Sequence, residues 1–238
     1  FPPQEGQATN CRRGHFIFGI THIFMEWREA PIYSGDRIQI NREDRRVFQK
    51  DRFVEACKAA VGDGQQAIRD VVLEAVADPS GVIAELGEPT QAGVYPMYQG
   101  DDLTVINFVW APYMTLLPHN HNMFAVIGLY GGREDNMFWR RIDREGDGGP
   151  ELEAAGADSL GAGQAATLGP DIVHSVANPI SKLTSAIHVY GGDFFNPPKP
   201  RVQWDHETLV AAPWDMEHTR KVFHESDVRY NAGVAAGV

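Results

Sequence analysis

Apolar and polar positions change their rhythm three times along this chain. Residues 1–46 show weak periodicity, with an aromatic-rich piece, HFIFGITHIFMEW, followed by a charged run, NREDRR. This block reads as an N-terminal extension of uncertain order, either an arm packed on the core or on a partner subunit, or a poorly ordered segment. Residues 47–92 read as helical. In VFQKDRFVEACKAAV, the positions Val47, Phe48, Phe53, Val54, Cys57 and Val61 form an approximate one-sided stripe. After the break GDG the stripe resumes at Ile68, Val71, Val72 and Val76. Asp78 followed by Pro79 is a start signal for a short third helix, because proline suits the first helical position. From about residue 93 the chain turns to short apolar or alternating runs separated by Gly, Pro, Asn and Asp: LTVINFVWA, MFAVIGLYGG, NMFWRRID, HSVANP and TSAIHVYGGDF among them. Strands at such close spacing predict a sandwich or barrel rather than βαβ units. The barrel is expected over 93–200. Residues 201–238, containing RVQWDHETL and ending in NAGVAAGV, read as an irregular C-terminal extension. Residues 47–238 are expected to form one structural domain.

Composition narrows the partners. A length of 238 residues suits one domain with a proper core. A formal charge of −11 opposes a polyanion as main partner, since phosphate binding needs clustered Lys and Arg. The best basic cluster, Arg140, Arg141 and Arg144, is interleaved with Asp143 and Glu145, so nucleic acid is not expected. Two cysteines, Cys11 and Cys57, lie far apart without metal-ligand spacing; they exclude a disulfide framework and leave a single bridge open. No apolar stretch is long enough to cross a bilayer, and FPPQEGQATNCRRGHFIFG lacks the ordered regions of a signal peptide. The expectation is a soluble, reduced, cytoplasmic protein without membrane partners.

The informative stretch is LPHNHNMFAVIGLYGG. On a strand, residues i and i+2 face one side, so His119 and His121 project together as a two-point metal grip. An isolated HxH is more often surface decoration or a hydrogen-bonded core pair. Here the motif opens an apolar strand, and LGPDIVHSVANP offers His174 at the start of another, after the turn residues Gly169 and Pro170.

These paired motifs resemble the cupin superfamily of small β-barrels. The first matches at His119, His121 and Gly131 or Gly132, and the second at Gly169, His174 and Asn178. The resemblance covers about residues 93–200. It implies a mainly β fold, a cupin double-stranded β-helix (jelly-roll) barrel carrying an N-terminal helical segment. Where many cupins have a glutamate ligand, this chain has Ala125, Val126 and Ile127. Glu134 and Asp135, after the Gly-Gly turn, read as solvated hairpin residues. The implied ligand set is three histidines without a carboxylate.

That set is similar to the cysteine dioxygenase-like thiol dioxygenases. Trp110 precedes the first histidine at the family's interval, and SAIHVYGGDFF supplies His188 and Tyr190 in the place of an outer-sphere S-x-H-x-Y relay, although the serine position is Ala186 and Ser185 is one residue off. The family's carboxylate-binding arginine is missing from GVYPMYQGDD, which leaves Arg133, Arg140 or Arg141 to replace it, or a substrate other than cysteine. Trp110 and Tyr113 are expected in the core or the wall of the substrate pocket rather than as catalytic residues. His15, His22, His206, His218 and His224 are expected to be structural or on the surface.

Neutral imidazoles accept several divalent metals, so the ligands do not choose among Fe(II), Zn and Ni; the resemblance implies Fe(II). Three histidines leave the metal its full charge and open positions, and that charge favours a bound thiolate. The expected function is a mononuclear non-haem iron dioxygenase that oxidises a small thiol to a sulfinate with O2. The alternatives are a C–C-cleaving three-histidine oxygenase, a zinc hydrolase or lyase, and a non-catalytic ligand sensor. Its partners are then a small-molecule substrate and O2, with a homodimer left open.

Overall fold

Three short helices form where the apolar stripes place them: α1 (Lys50–Ala60), α2 (Gln65–Val76) and α3 (Pro79–Leu86), with Pro79 at the start of the third. The computed structural model describes residues 47–142 and 151–236, with side chains as far as 233. The proposed extension 1–46, with Cys11, His15 and His22, lies outside the described residues, as do Asp143, Arg144 and Glu145.

Eleven strands follow among the described residues: β1 (Gly93–Gln99), β2 (Thr104–Trp110), β3 (Thr115–Asn120), β4 (Ala125–Gly131), β5 (Arg133–Arg141), β6 (Leu152–Gly161), β7 (Ala165–Leu168), β8 (Val173–Ala177), β9 (Thr184–Tyr190), β10 (Val202–Trp204) and β11 (Ala211–Pro213). They form two sheets, β1-β2-β9-β4-β7 and β11-β10-β3-β8-β5-β6, and every pairing is antiparallel. From β2 to β5 and again from β7 to β10, consecutive strands alternate between the sheets. This is the jelly-roll winding of a double-stranded β-helix, and the fold is mainly β with N-terminal helices.

The helices explain why β4 and β9 read as unbroken apolar runs. Both faces of their sheet are buried. One face carries Val126, Tyr130, Ile187 and Val189 against Ile68, Val72 and Val76 of α2. The other turns Ile106, Phe108, Ile127, Leu129 and Tyr190 into the barrel. Close approach of α2 is made by Gly128, where an added Cβ would stand 2.3 Å from Val72 Cγ1. Between β4 and β5, Gly132 (φ +75°) turns the chain from one sheet to the other, and a Cβ there would meet Thr184 Oγ1 at 2.2 Å. Thr184 Oγ1 closes the corner by accepting from Arg133 N and donating to Arg133 O, both at 3.0 Å.

The region after residue 200 departs from expectation. It is not irregular: it supplies β10, β11 and α4 (Met216–Ala236). The side of α4 that packs uses Thr219, Phe223, Ser226 and Asp227, all buried. With three polar members, that stripe carries little hydrophobic signal. Asp227 accepts from Ala92 N at 2.7 Å and so ties the helix to the chain just before β1. No helix among the described residues is long and apolar enough to cross a membrane.

Candidate metal centre

Strand register assembles the three histidines. His119 on β3 stands opposite His174 on β8, and His121 follows one residue past the end of β3. All three rings are buried. His119 Nε2 is 3.1 Å from His121 Nε2, which is 3.3 Å from His174 Nε2. Nitrogens about 2.1 Å from one ion are about 3.0 Å apart at right angles and about 3.4 Å apart at tetrahedral angles. The observed spacings fall in that interval. The remaining nitrogens are turned outward: His119 Nδ1 lies 2.8 Å from Leu117 O, and His174 Nδ1 lies 2.7 Å from Asn136 Oδ1. A carbonyl oxygen only accepts, so each Nδ1 carries the hydrogen and each Nε2 offers its lone pair, as a metal ligand requires. The triad is the group of potential ligands that could hold a metal ion among the described residues, and no acid belongs to it.

Electrostatics agree with neutral rings. Burial depresses the pKa of all three, and neighbouring imidazoles and Arg201 push in the same direction for His119 and His121. His174 is brought down to about 3 by burial, against the opposing charge of Glu134.

His188 and Tyr190, two apart on β9, both face the barrel. His188 Nδ1 is 3.1 Å from Tyr190 OH, and the Tyr190 ring packs edge-on against His121 at 5.1 Å. Burial raises the Tyr190 pKa, so the phenol holds its proton at neutral pH. Trp110 lines the same cavity. The other residues expected to bind substrate do not reach it. Tyr113 is 69% exposed on a turn with φ 58°. Arg133 pairs with Asp135 at 2.7 Å on the outer face of β5, where alternation places odd-numbered residues. Arg140 pairs with Glu153, and Arg141 lies over the Trp204 ring.

The cation in the cavity is Arg201, which was not among the residues expected there. It lies just before β10 and is 4% exposed. Its Nε–H donates to Asn120 O at 3.0 Å, and its guanidinium lies between the rings of Phe194 and Trp214, 4.3 and 4.2 Å from their centroids. Both Nη atoms are buried without a hydrogen-bond partner, as are Trp110 Nε1 and Trp214 Nε1. All three side chains line one cavity of about 20 Å³ beside the histidines. Burial lowers the Arg201 pKa to about 10, which leaves it charged at neutral pH. No local pattern marks this arginine, because it follows the Pro-rich link NPPKP rather than sitting in a patterned strand.

Glu134 requires a correction. It is not a solvated hairpin residue: it has 0% exposure. The strand β5 begins at Arg133, directly after the Gly-Gly turn, so Glu134 is its second residue and faces the barrel rather than solvent. Period-two alternation with Phe138, which packs on the barrel core, turns Glu134 and Asn136 inward. That alternation was the available signal.

No protein-family model matches the chain. Partial structural likenesses include an RmlC-like cupin with a double-stranded β-helix fold from Methanocaldococcus jannaschii (10% identity, 45% of this chain and 86% of that one, TM-score 0.36). An uncharacterised double-stranded β-helix protein from Klebsiella pneumoniae overlaps at 14% identity (54% of this chain and 90% of that one, TM-score 0.35). Oxalate decarboxylase from Bacillus subtilis overlaps at 15% identity over 48% of this chain and 28% of that one, TM-score 0.35. The strand order, not these overlaps, defines the fold.

Proposed function

We propose that this barrel is a mononuclear three-histidine iron dioxygenase that converts a small thiol to its sulfinate, R–SH + O2 → R–SO2H. The observation that carries the reading is the convergence of His119, His121 and His174 Nε2 without an acidic ligand. A divalent ion held by neutral groups alone keeps its full charge, binds thiolate in preference to thiol and supplies the redox chemistry with dioxygen.

The chain's own residues have separate tasks in this reading. The imidazoles present lone pairs, fixed by the acceptors behind their Nδ1 atoms. Tyr190 brings a protonated hydroxyl beside His121, and His188 holds that hydroxyl from behind. Arg201, Trp110 and Trp214 surround the cavity with unpartnered N–H donors. Buried donors of this kind favour an occupant rich in acceptors, and a guanidinium favours one with negative charge. The substrate class is therefore a compact thiol bearing a carboxylate or similar anion. A volume of about 20 Å³ holds about one water, so even a compact thiol enters only with a shift of the Phe194–Arg201–Trp214 stack.

The test is metal analysis of protein purified without oxygen, followed by oxygen uptake against thiols with and without a carboxylate. Iron near one per chain and uptake with acidic thiols is the expected result. Zinc at that stoichiometry with no uptake for any thiol would sink the proposal in favour of hydrolytic or lyase chemistry.

A further inference from the structure

One buried acid has no task in this scheme. Glu134 lies inside a barrel whose other ionisable side chains near it are imidazoles, Tyr190 and Arg201. Its Oε1 accepts from Asn136 Nδ2 at 3.0 Å, and Asn136 Oδ1 faces His174 Nδ1 at 2.7 Å. Its Oε2 stands 3.4 Å from His188 Nε2, within ion-pair range, and neither atom has a hydrogen-bond partner. His188 Nδ1 then meets Tyr190 OH at 3.1 Å. A continuous polar chain thus runs His174–Asn136–Glu134–His188–Tyr190 and joins the two sheets across the barrel. Glu134 is not a member of the ligand group.

We propose that Glu134 is a positioning residue that sets the tautomers of two imidazoles at once, fixing Nε2 of His174 as the metal-facing lone pair and Nδ1 of His188 as the acceptor of the Tyr190 hydroxyl. An ionised carboxylate offers acceptors only. Oε1 therefore turns the Asn136 amide nitrogen toward itself, which leaves Asn136 Oδ1 to accept from His174 Nδ1–H. Oε2 in turn selects the Nε2–H form of His188. In a neutral imidazole, Nδ1 is then the lone pair that receives the phenol proton. Burial pushes the carboxyl's pKa up, but the contacts with His188 and Asn136 bring it below the usual range, so it stays ionised.

The inference rests on the three-histidine metal site but not on thiol chemistry, so its test needs neither thiol nor oxygen. The probe is Co(II), titrated into metal-free full-length protein by its visible absorption. Glu134→Gln keeps the size and removes the second acceptor. A glutamine cannot accept from both Asn136 and His188, so one partner must turn. The expected result is a Co(II) affinity reduced about 10–100-fold, the range for loss of a group supporting a metal ligand, with a changed ligand-field spectrum. A role in packing alone would leave both unchanged. Glu134→Gln combined with Asn136→Asp restores the pattern: the carboxylate introduced by the second substitution accepts from His174 and from the glutamine amide, whose oxygen accepts from His188. That double variant should recover affinity to within a few-fold of the parent. Co(II) affinity in Glu134→Gln within threefold of the parent would overturn the proposal, as would failure of the double variant to recover. If Glu134→Gln does not fold, the double variant decides alone against the parent. Absence of Co(II) binding in the parent overturns the metal reading itself, whereas intact Co(II) coupling with no thiol oxidation removes only the proposed function.

Discussion

The site divides between residues announced by spacing and residues announced by nothing local. Tyr190 and Arg201 illustrate the two. In the proposed scheme Tyr190 is separable from metal binding, its hydroxyl lying 3.1 Å from His188 Nδ1. Tyr190→Phe should retain metal at parental stoichiometry and slow turnover about 10²-fold, the contribution of a positioned proton donor; parental turnover would remove the hydroxyl from the mechanism. Arg201→Met keeps a long apolar stem between Phe194 and Trp214 but removes the charge. Truncating one partner of a buried charged contact costs about 2–5 kcal/mol, so kcat/KM for a carboxylate-bearing thiol should fall at least about 30-fold while a neutral thiol changes little. Equal losses for both would show that Arg201 acts by packing. The histidines and Tyr190 were legible because i, i+2 spacing on apolar strands is unusual for titratable side chains. Arg201 was not, since its position depends on how the chain after the barrel folds back onto Asn120. Glu134 was hidden by its charge, which outweighed the alternation with Asn136 and Phe138.

Between elements, the contact most exposed to single substitutions is α2 against β4. Val72 and Val76 are fully buried, β-branched and restricted at χ1, so neither can yield to a new methyl group at Gly128. Gly128→Ala should destabilise the fold by about 1–3 kcal/mol through overpacking, which corresponds to a Tm lower by about 2–12 °C for a domain of this size. Gly156→Ala is the control: the position is exposed and a Cβ there meets nothing within 4 Å, so its Tm should not move. Scanning calorimetry of the two variants separates the outcomes, and equal Tm values would show that α2 shifts freely over the sheet. The helices and most strands were legible because apolar periodicity reports burial directly. β4 and β9 run apolar without a break because both of their faces are buried. α4 was missed because its buried stripe, Thr219, Phe223, Ser226 and Asp227, is mostly polar, and β10 and β11 were missed because three residues are too few to establish a period.

Across the whole molecule, burying three neutral imidazoles together links folding to pH. In the unfolded chain each histidine titrates near 6.5. In the folded protein all three pKa values are depressed by burial, that of His174 to about 3. Above about pH 7.5 these rings are neutral in both states and contribute no pH dependence. As pH falls through 6.5 the unfolded chain takes up protons that the folded chain refuses, so stability falls, and it continues to fall toward pH 3 while His174 remains neutral. With three rings the slope is at most about 4 kcal/mol per pH unit. Metal-free protein unfolded in urea between pH 8 and 5 should therefore show a plateau above 7.5 and a steep decline below 6.5, with up to three protons taken up on unfolding. The same neutrality gives the metal a signature of its own. A site of ordinary histidines would release protons on binding at pH 6, whereas these rings have almost none to release, so calorimetry of Zn(II) binding at pH 6 should give nearly the same enthalpy in buffers of different ionisation heat. A release of two or three protons at pH 6 would mean that the imidazoles are solvated enough to be protonated before the metal binds.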